Sequence, residues 1–173
     1  MILVNGLMLE SFTTSGGLGT MCETYFGKVQ ELNYKTMRYP GHCELMRFLL
    51  NELYLRNDRD TAGKLLKNAL PAVEEDVVFV HAAVEGQKDG RLHREEFVRA
   101  YPAMHLEGKS WRAISWTTAA SLCAVVEMVR DGSLPGSGFI KQEEVPFDKF
   151  LATKNGGIYR NAESVSAGAT FAA

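Results

Sequence analysis

Three patterns predict an α+β fold for this chain, a mixed β-sheet layered with helices. Residues 2–12 and 77–100 carry β-branched and aromatic runs broken by glycine-containing turns, which is strand and hairpin chemistry. Residues 42–55 repeat apolar side chains at spacings of three and four, the period of a helix with one buried face. Residues 117–129 form a mostly apolar run rich in small residues, suited to close packing on a sheet. With 173 residues and 46% hydrophobic content, the chain is long enough to bury one core of its own.

The elements follow in order. The opening β-prone segment ends at Thr13-Thr14-Ser15-Gly16-Gly17, where either glycine can take a positive φ. Residues 25–38 mix Val29, Leu32 and Met37 with polar and aromatic side chains and are expected to be extended until Pro40-Gly41 stops them. The helix from His42 places Leu45, Met46, Leu49, Leu50 and Leu53 on its apolar face. A second helix is predicted from Asp60, a good N-cap, through Leu65, Leu66 and Ala69 to Pro71. Residues 77–85 and 91–100 read as a hairpin turning at Asp89-Gly90, its first strand buried and its second half-exposed. The helix of residues 117–129 is expected to be capped by a threonine and closed by Gly132. A loop after Pro135-Gly136 leads to a short element near residues 146–152. Residues 1–160 form one domain, and the Ala, Ser, Gly and Thr of residues 161–173 predict a disordered tail.

Composition excludes several function classes. A net charge of −2 with scattered Lys and Arg gives no reason to expect nucleic acid or an anionic membrane as partner. Cys22, Cys43 and Cys123 form an odd set without metal spacing, so each reads as a structural thiol in a reducing compartment. The first residues lack a basic n-region, and no window approaches the roughly 18 apolar residues of a membrane span. A cytoplasmic protein is the expectation. His81 reads as a hydrogen-bonded residue of a sheet, and His93 and His105 have no partners at metal spacing. Glu74-Glu75-Asp76 and Glu143-Glu144 read as solvated loop charges.

Two constellations can carry chemistry. If a helix begins at His42, its free N–H groups and positive dipole end face the turn that holds Arg38, which suits a carboxylate. The guanidinium adds a planar, bidentate donor for the same anion. Equally, Arg38 can pair with Glu44 while His42 merely caps the helix. The second constellation is Thr13-Thr14-Ser15-Gly16-Gly17-Leu18-Gly19-Thr20, where glycines let backbone amides approach a ligand and hydroxyls can orient it. A tight strand connection uses the same residues. The lysine of a phosphate loop is absent.

The order of these strings resembles the carboxy-terminal part of the saccharopine dehydrogenase family, which includes saccharopine dehydrogenase and lysine 6-dehydrogenase-like enzymes. The likeness runs from the Gly-rich turn through Lys35-Thr36-Met37-Arg38-Tyr39-Pro40-Gly41-His42 and its helix. It continues with Ile114-Ser115-Trp116-Thr117-Thr118-Ala119-Ala120 and ends with Gly138-Phe139-Ile140-Lys141-Gln142-Glu143 before residues 147–151. It covers residues 11–159, and the order carries it more than any one motif. The resemblance implies the α/β domain that follows a Rossmann domain in saccharopine dehydrogenase-like (glyceraldehyde-3-phosphate dehydrogenase-like) oxidoreductases, shaping the substrate site and forming a dimer through sheet contacts. Arg38 and His42 match the substrate side, with Ser15, Gly16 and Gly17 as a second group.

No strand followed by G-x-G-x-x-G precedes these residues, and the acidic ribose-binding residue is missing too. The resemblance thus implies a chain that binds no cofactor alone, NAD or NADP belonging to the full-length family. It also implies no redox catalysis in isolation, because the nicotinamide supplies that chemistry. The expected partners are an amino acid or opine-like small molecule, a second copy in a homodimer and a separate Rossmann-domain chain. The alternative is a non-catalytic dimerisation or protein-interaction module that retains the fold.

Overall fold

The computed structural model describes residues 1–4, 6–14, 17–161 and 163–164. The expected α+β class is observed, but the strands of each sheet pair antiparallel, where a mixed sheet was predicted. Three of the five pairs are hairpins closed by short turns, which fixes them antiparallel, whereas parallel neighbours need a long crossover; the other two are antiparallel across longer connections.

The N-terminal half begins with a hairpin. β1 (Ile2–Val4) and β2 (Leu7–Phe12) pair with Val4 opposite Leu7, and Gly6 takes φ +75° in the connection. Val4 and Leu9 are buried beneath it. A short helix, α1 (Met21–Thr24), follows the Gly-rich turn, and β3 (Thr36–Arg38) returns to pair with β2. Only these last three residues of the predicted extended segment 25–38 join a sheet. Gly41, at φ +93°, then turns the chain into α2 (His42–Arg47), as predicted.

The helix does not keep one period. Residues Phe48–Glu52 form a π turn in which Leu53 N–H donates to Phe48 C=O, five residues back. Met46, Leu49 and Leu50 face inward, joined by Leu55 from a 3₁₀ turn (Leu55–Asn57) that follows a left-handed residue, Tyr54 (φ +55°), while Leu45 and Leu53 are exposed. These residues meet Ala62, Leu65 and Leu66 of α3 (Arg59–Ala69) around a residual cavity of only about 10 Å³. Asp58, two residues before the predicted Asp60, is the N-cap of α3, its carboxylate accepting Thr61 N–H at 3.0 Å.

The C-terminal half is built on a long ribbon. β4 (Val77–Lys88) and β5 (Arg91–Pro102) pair along their whole length, from Val77 opposite Pro102 to Lys88 opposite Arg91. Asp89 (φ +52°) and Gly90 (φ +73°) make the predicted two-residue turn. Against expectation β4 is buried only near its start, because the ribbon outruns the helix that covers it and Val84 is 67% exposed. His81 is the sheet-face residue predicted, 3.4 Å from Glu96. A second hairpin that the sequence reading missed, β6 (Met104–Leu106) and β7 (Lys109–Trp111), turns at Glu107 and Gly108, both at positive φ.

α4 (Ala113–Arg130) closes the core. Ala113, Trp116, Ala120, Ala124 and Met128, spaced by three or four, are its buried stripe. Trp116 and Tyr101 meet edge-on at 5.8 Å, and Tyr159 completes the cluster at 5.4 Å from Tyr101. Two polar tips in this cluster reach backbone carbonyls: Trp116 Nε1–H donates to Pro102 C=O at 2.9 Å and Tyr159 O–H to Thr117 C=O. Burial pushes the phenols of Tyr101 and Tyr159 above their ordinary value.

α5 (Phe147–Ala152) lies where the short element was expected, followed by a 3₁₀ turn, Gly156–Asn161. β8 (Glu163–Ser164) pairs with β5, so the segment predicted as a tail includes a strand; the remainder, from residue 165, lies outside the described residues. The three thiols, expected to be structural, are free and exposed.

α4 starts at Ala113, four residues before the predicted threonine cap. Its first N–H groups are met by the carboxylate of Asp76, which accepts from Ala113 N–H and, at 3.1 Å, from Ile114 N–H. Asp76 C=O also accepts Ala103 N–H at 3.0 Å. Asp76 was expected to be a solvated loop charge and instead joins three segments. Replacing Asp76 with Ala should lower unfolding stability by about 1–2 kcal/mol, read from urea denaturation, with Asp76→Asn intermediate. An unchanged midpoint in Asp76→Ala would rule out the cap.

Candidate functional site

Pairing of β2 with β3 sets Glu10 opposite Arg38 and Phe12 opposite Thr36. The Pro40-Gly41 turn then brings the start of α2 back over the same end of β2. Arg38, His42, Glu10 and Phe12 therefore share one corner of the N-terminal half. The sequence reading named the first two and missed the others.

Glu10 changes the expected chemistry. Its carboxylate accepts Cys43 N–H at 2.6 Å and Gly41 N–H at 3.1 Å. The amides predicted to receive a ligand's carboxylate already hold one supplied by the chain. Hydrogen bonds from Cys43, then from Gly41, together with the imidazole of His42 nearby, hold the Glu10 carboxyl below its ordinary value. The Cys43 thiol is pushed up in turn, by burial and by this carboxylate.

Arg38 does not pair with Glu44. Its Nη1 donates to Met37 C=O at 2.7 Å and to Thr36 Oγ1 at 3.0 Å. The side chain is exposed, and its other guanidinium nitrogens have no partner among the described residues. His42 does not cap the helix either; its ring stacks on Phe12 at 5.8 Å and 12°. The corner thus offers a stacked imidazole and a guanidinium with donors to spare, beside an amide pair already satisfied.

In the Gly-rich turn, Ser15 and Gly16 lie outside the described residues. Gly17, at φ +81°, is pressed by the ring of Tyr34, to which a Cβ would approach within 2.2 Å. That glycine makes room for a side chain of the protein. Past it, Thr20 Oγ1 and Thr24 Oγ1 donate to Glu143 at 2.9 and 2.5 Å, and Gln142 Nε2 donates to Leu18 C=O at 2.8 Å. Glu143, expected to be a solvated charge, is a half-buried acceptor whose carboxyl is lowered chiefly by Thr24. Among the described residues no hydrogen bond joins this turn to Arg38 or His42.

A hollow of about 550 Å³ at the tip of the ribbon is lined by the exposed side chains of Lys88, Asp89, Arg91, Leu92 and His93. No group of three metal-ligating side chains occurs among the described residues, and no described helix is long and apolar enough to cross a membrane.

No protein-family model matches this chain, and no solved structure matches it. Glu10 carried one local signal, a lone acid in an apolar strand. Its partner amides lie some thirty residues away, and no local pattern points to them.

The lowered carboxyl of Glu10 gives a pH dependence of known sign. Its contribution is complete above the ordinary value of 4.5 and is lost as pH falls through the lower folded value. Acid titration followed by the amide resonances of Gly41 and Cys43 should show a midpoint below 4.5, absent in Glu10→Gln. A midpoint at or above that value would refute the bonded carboxylate.

Proposed function

We propose that this chain is the substrate-binding and dimerisation part of an NAD(P)-dependent oxidoreductase of the saccharopine dehydrogenase family, acting in the cytoplasm on an amino acid or opine-type substrate. It does not transfer hydride alone; a separate nucleotide-binding unit supplies NAD or NADP. The observation that carries the proposal is the surface left to be covered. The accessible area is 13083 Å², about half as much again as the roughly 8400 Å² of a compact monomer of this mass. Large apolar side chains, Val84, Leu92, Leu122 and Val126 among them, stand in that surface.

Part of this surface, on our reading, is covered by a second copy through the ribbon. Between Val80 and Lys88 the outer edge of β4 has no strand beside it among the described residues, and Ala82, Ala83 and Val84 put no charge or proline there. An isologous antiparallel pairing of two such edges is closed by a two-fold axis. For the substrate, Arg38 is the donor with capacity left, and the chemistry it suits is a carboxylate.

A non-catalytic dimerisation module is the second reading, favoured by one specific observation: Glu10 fills the amides a substrate carboxylate would use. Calorimetric titration with saccharopine, lysine, glutamate and each nicotinamide cofactor, combined with sedimentation, separates the two. The first reading expects binding of an amino acid or opine without cofactor binding, weakened about tenfold or more by Arg38→Ala, in a dimer that Val84→Lys dissociates. A dimer silent to every ligand would support the module instead. A monomer at all concentrations that is also silent to every ligand would defeat the first reading and leave of the second only a module for a different protein partner.

A further inference from the structure

The main packing partners of each element lie in its own half: β1, β2, β3, α2 and α3 on one side, β4, β5, β8, α4 and α5 on the other. The chain crosses between them at residues 70–76. A second crossing is made without covalent bonds. Thr20 and Thr24 are four residues apart, one helical turn, so their hydroxyls emerge on the same face of α1. Both donate to the carboxylate of Glu143, one to each oxygen. Beside it the amide of Gln142 donates to Leu18 C=O.

The close approach is built into the backbone as well. Gly19, at φ +53°, lets Gln142 come so near that a Cβ would stand 3.2 Å from its Nε2. Residues 142 and 143 end the Gly138-Phe139-Ile140-Lys141-Gln142-Glu143 string, for which the proposed function supplies no role.

We propose that Gln142 and Glu143 are a latch that fixes the N-terminal half against the C-terminal half. When it opens, residues 18–24 part from the Gln142–Glu144 turn, and residues 70–76 act as the hinge. The device is independent of any ligand, since it joins groups of this chain alone. A cluster of three hydrogen bonds to one short 3₁₀ turn, Gln142–Glu144, is cooperative in its loss: removing the carboxylate frees two hydroxyls at once.

Hydrogen exchange of the intact chain, read by mass spectrometry without ligand, tests this. In Gln142→Ala/Glu143→Ala, amides of residues 18–24 should exchange about tenfold faster or more, and proteolysis within residues 70–76 should accelerate, while β4, β5 and α4 keep their protection. Thr20→Val/Thr24→Val cuts the same contact from the other side, at similar side-chain volume, and should reproduce the pattern. Unchanged exchange at residues 18–24 in either double variant overturns the latch. So does a uniform rise in exchange that includes α4, which would make Glu143 a general stability residue.

Discussion

A helix that begins inside a protein must find partners for its first N–H groups, and α4 begins inside this one. Ala113 is fully enclosed and Trp116 nearly so. Asp76 meets that requirement from the segment that joins the two halves, and its own carbonyl holds the chain just after β5. Once the start of α4 is fixed, its 3.6-residue period turns Trp116, Ala120, Ala124 and Met128 inward, and the aromatic cluster with Tyr101 and Tyr159 follows. The base of the ribbon is stable because α4 covers it. Beyond that cover a two-stranded ribbon has little to hold it.

The same logic of satisfaction recurs at the candidate site. Two donors or donor groups read as open to a ligand, the amides at the start of α2 and the hydroxyl of Thr20 in the Gly-rich turn, are each closed by a carboxylate of the chain. Glu10 and Glu143 both sit below the ordinary carboxyl value because N–H or O–H groups converge on them. Donors clustered by the fold attract an acid; whether that acid is internal or external depends on geometry that spans the whole chain.

That distinction marks what was legible in the sequence. The start of α2 at His42, the Asp89-Gly90 turn, the sheet position of His81 and the closing glycine of α4 all follow from neighbours within a few residues, where periodicity and turn chemistry act. Asp76 and Glu143 were misread because their partners lie 37 and more than 100 residues away. The cap of α3 was misplaced by two residues because Asp58 and Asp60 are chemically equal and only the backbone at Asp58, φ −130°, is right for an N-cap. Arg38 and His42 fall in one stretch of chain because β3, Pro40-Gly41 and α2 are contiguous. Their hydrogen-bond and ring partners on β2 were not legible, because strand register is set by long-range pairing.

The π turn at Phe48–Glu52 has a consequence for how this stretch tolerates a change of length. One residue more than an α-helical turn is accommodated there. The helix ends with it: Tyr54, at φ +55°, breaks the path, and Leu55 faces α3 from the 3₁₀ turn Leu55–Asn57. The wide turn and the left-handed residue act as one joint, which brings Leu55 onto α3 five residues after Leu50, where an unbroken helix would use three or four. Length is therefore most easily gained or lost at this joint, where no helical period runs on to be thrown out of phase.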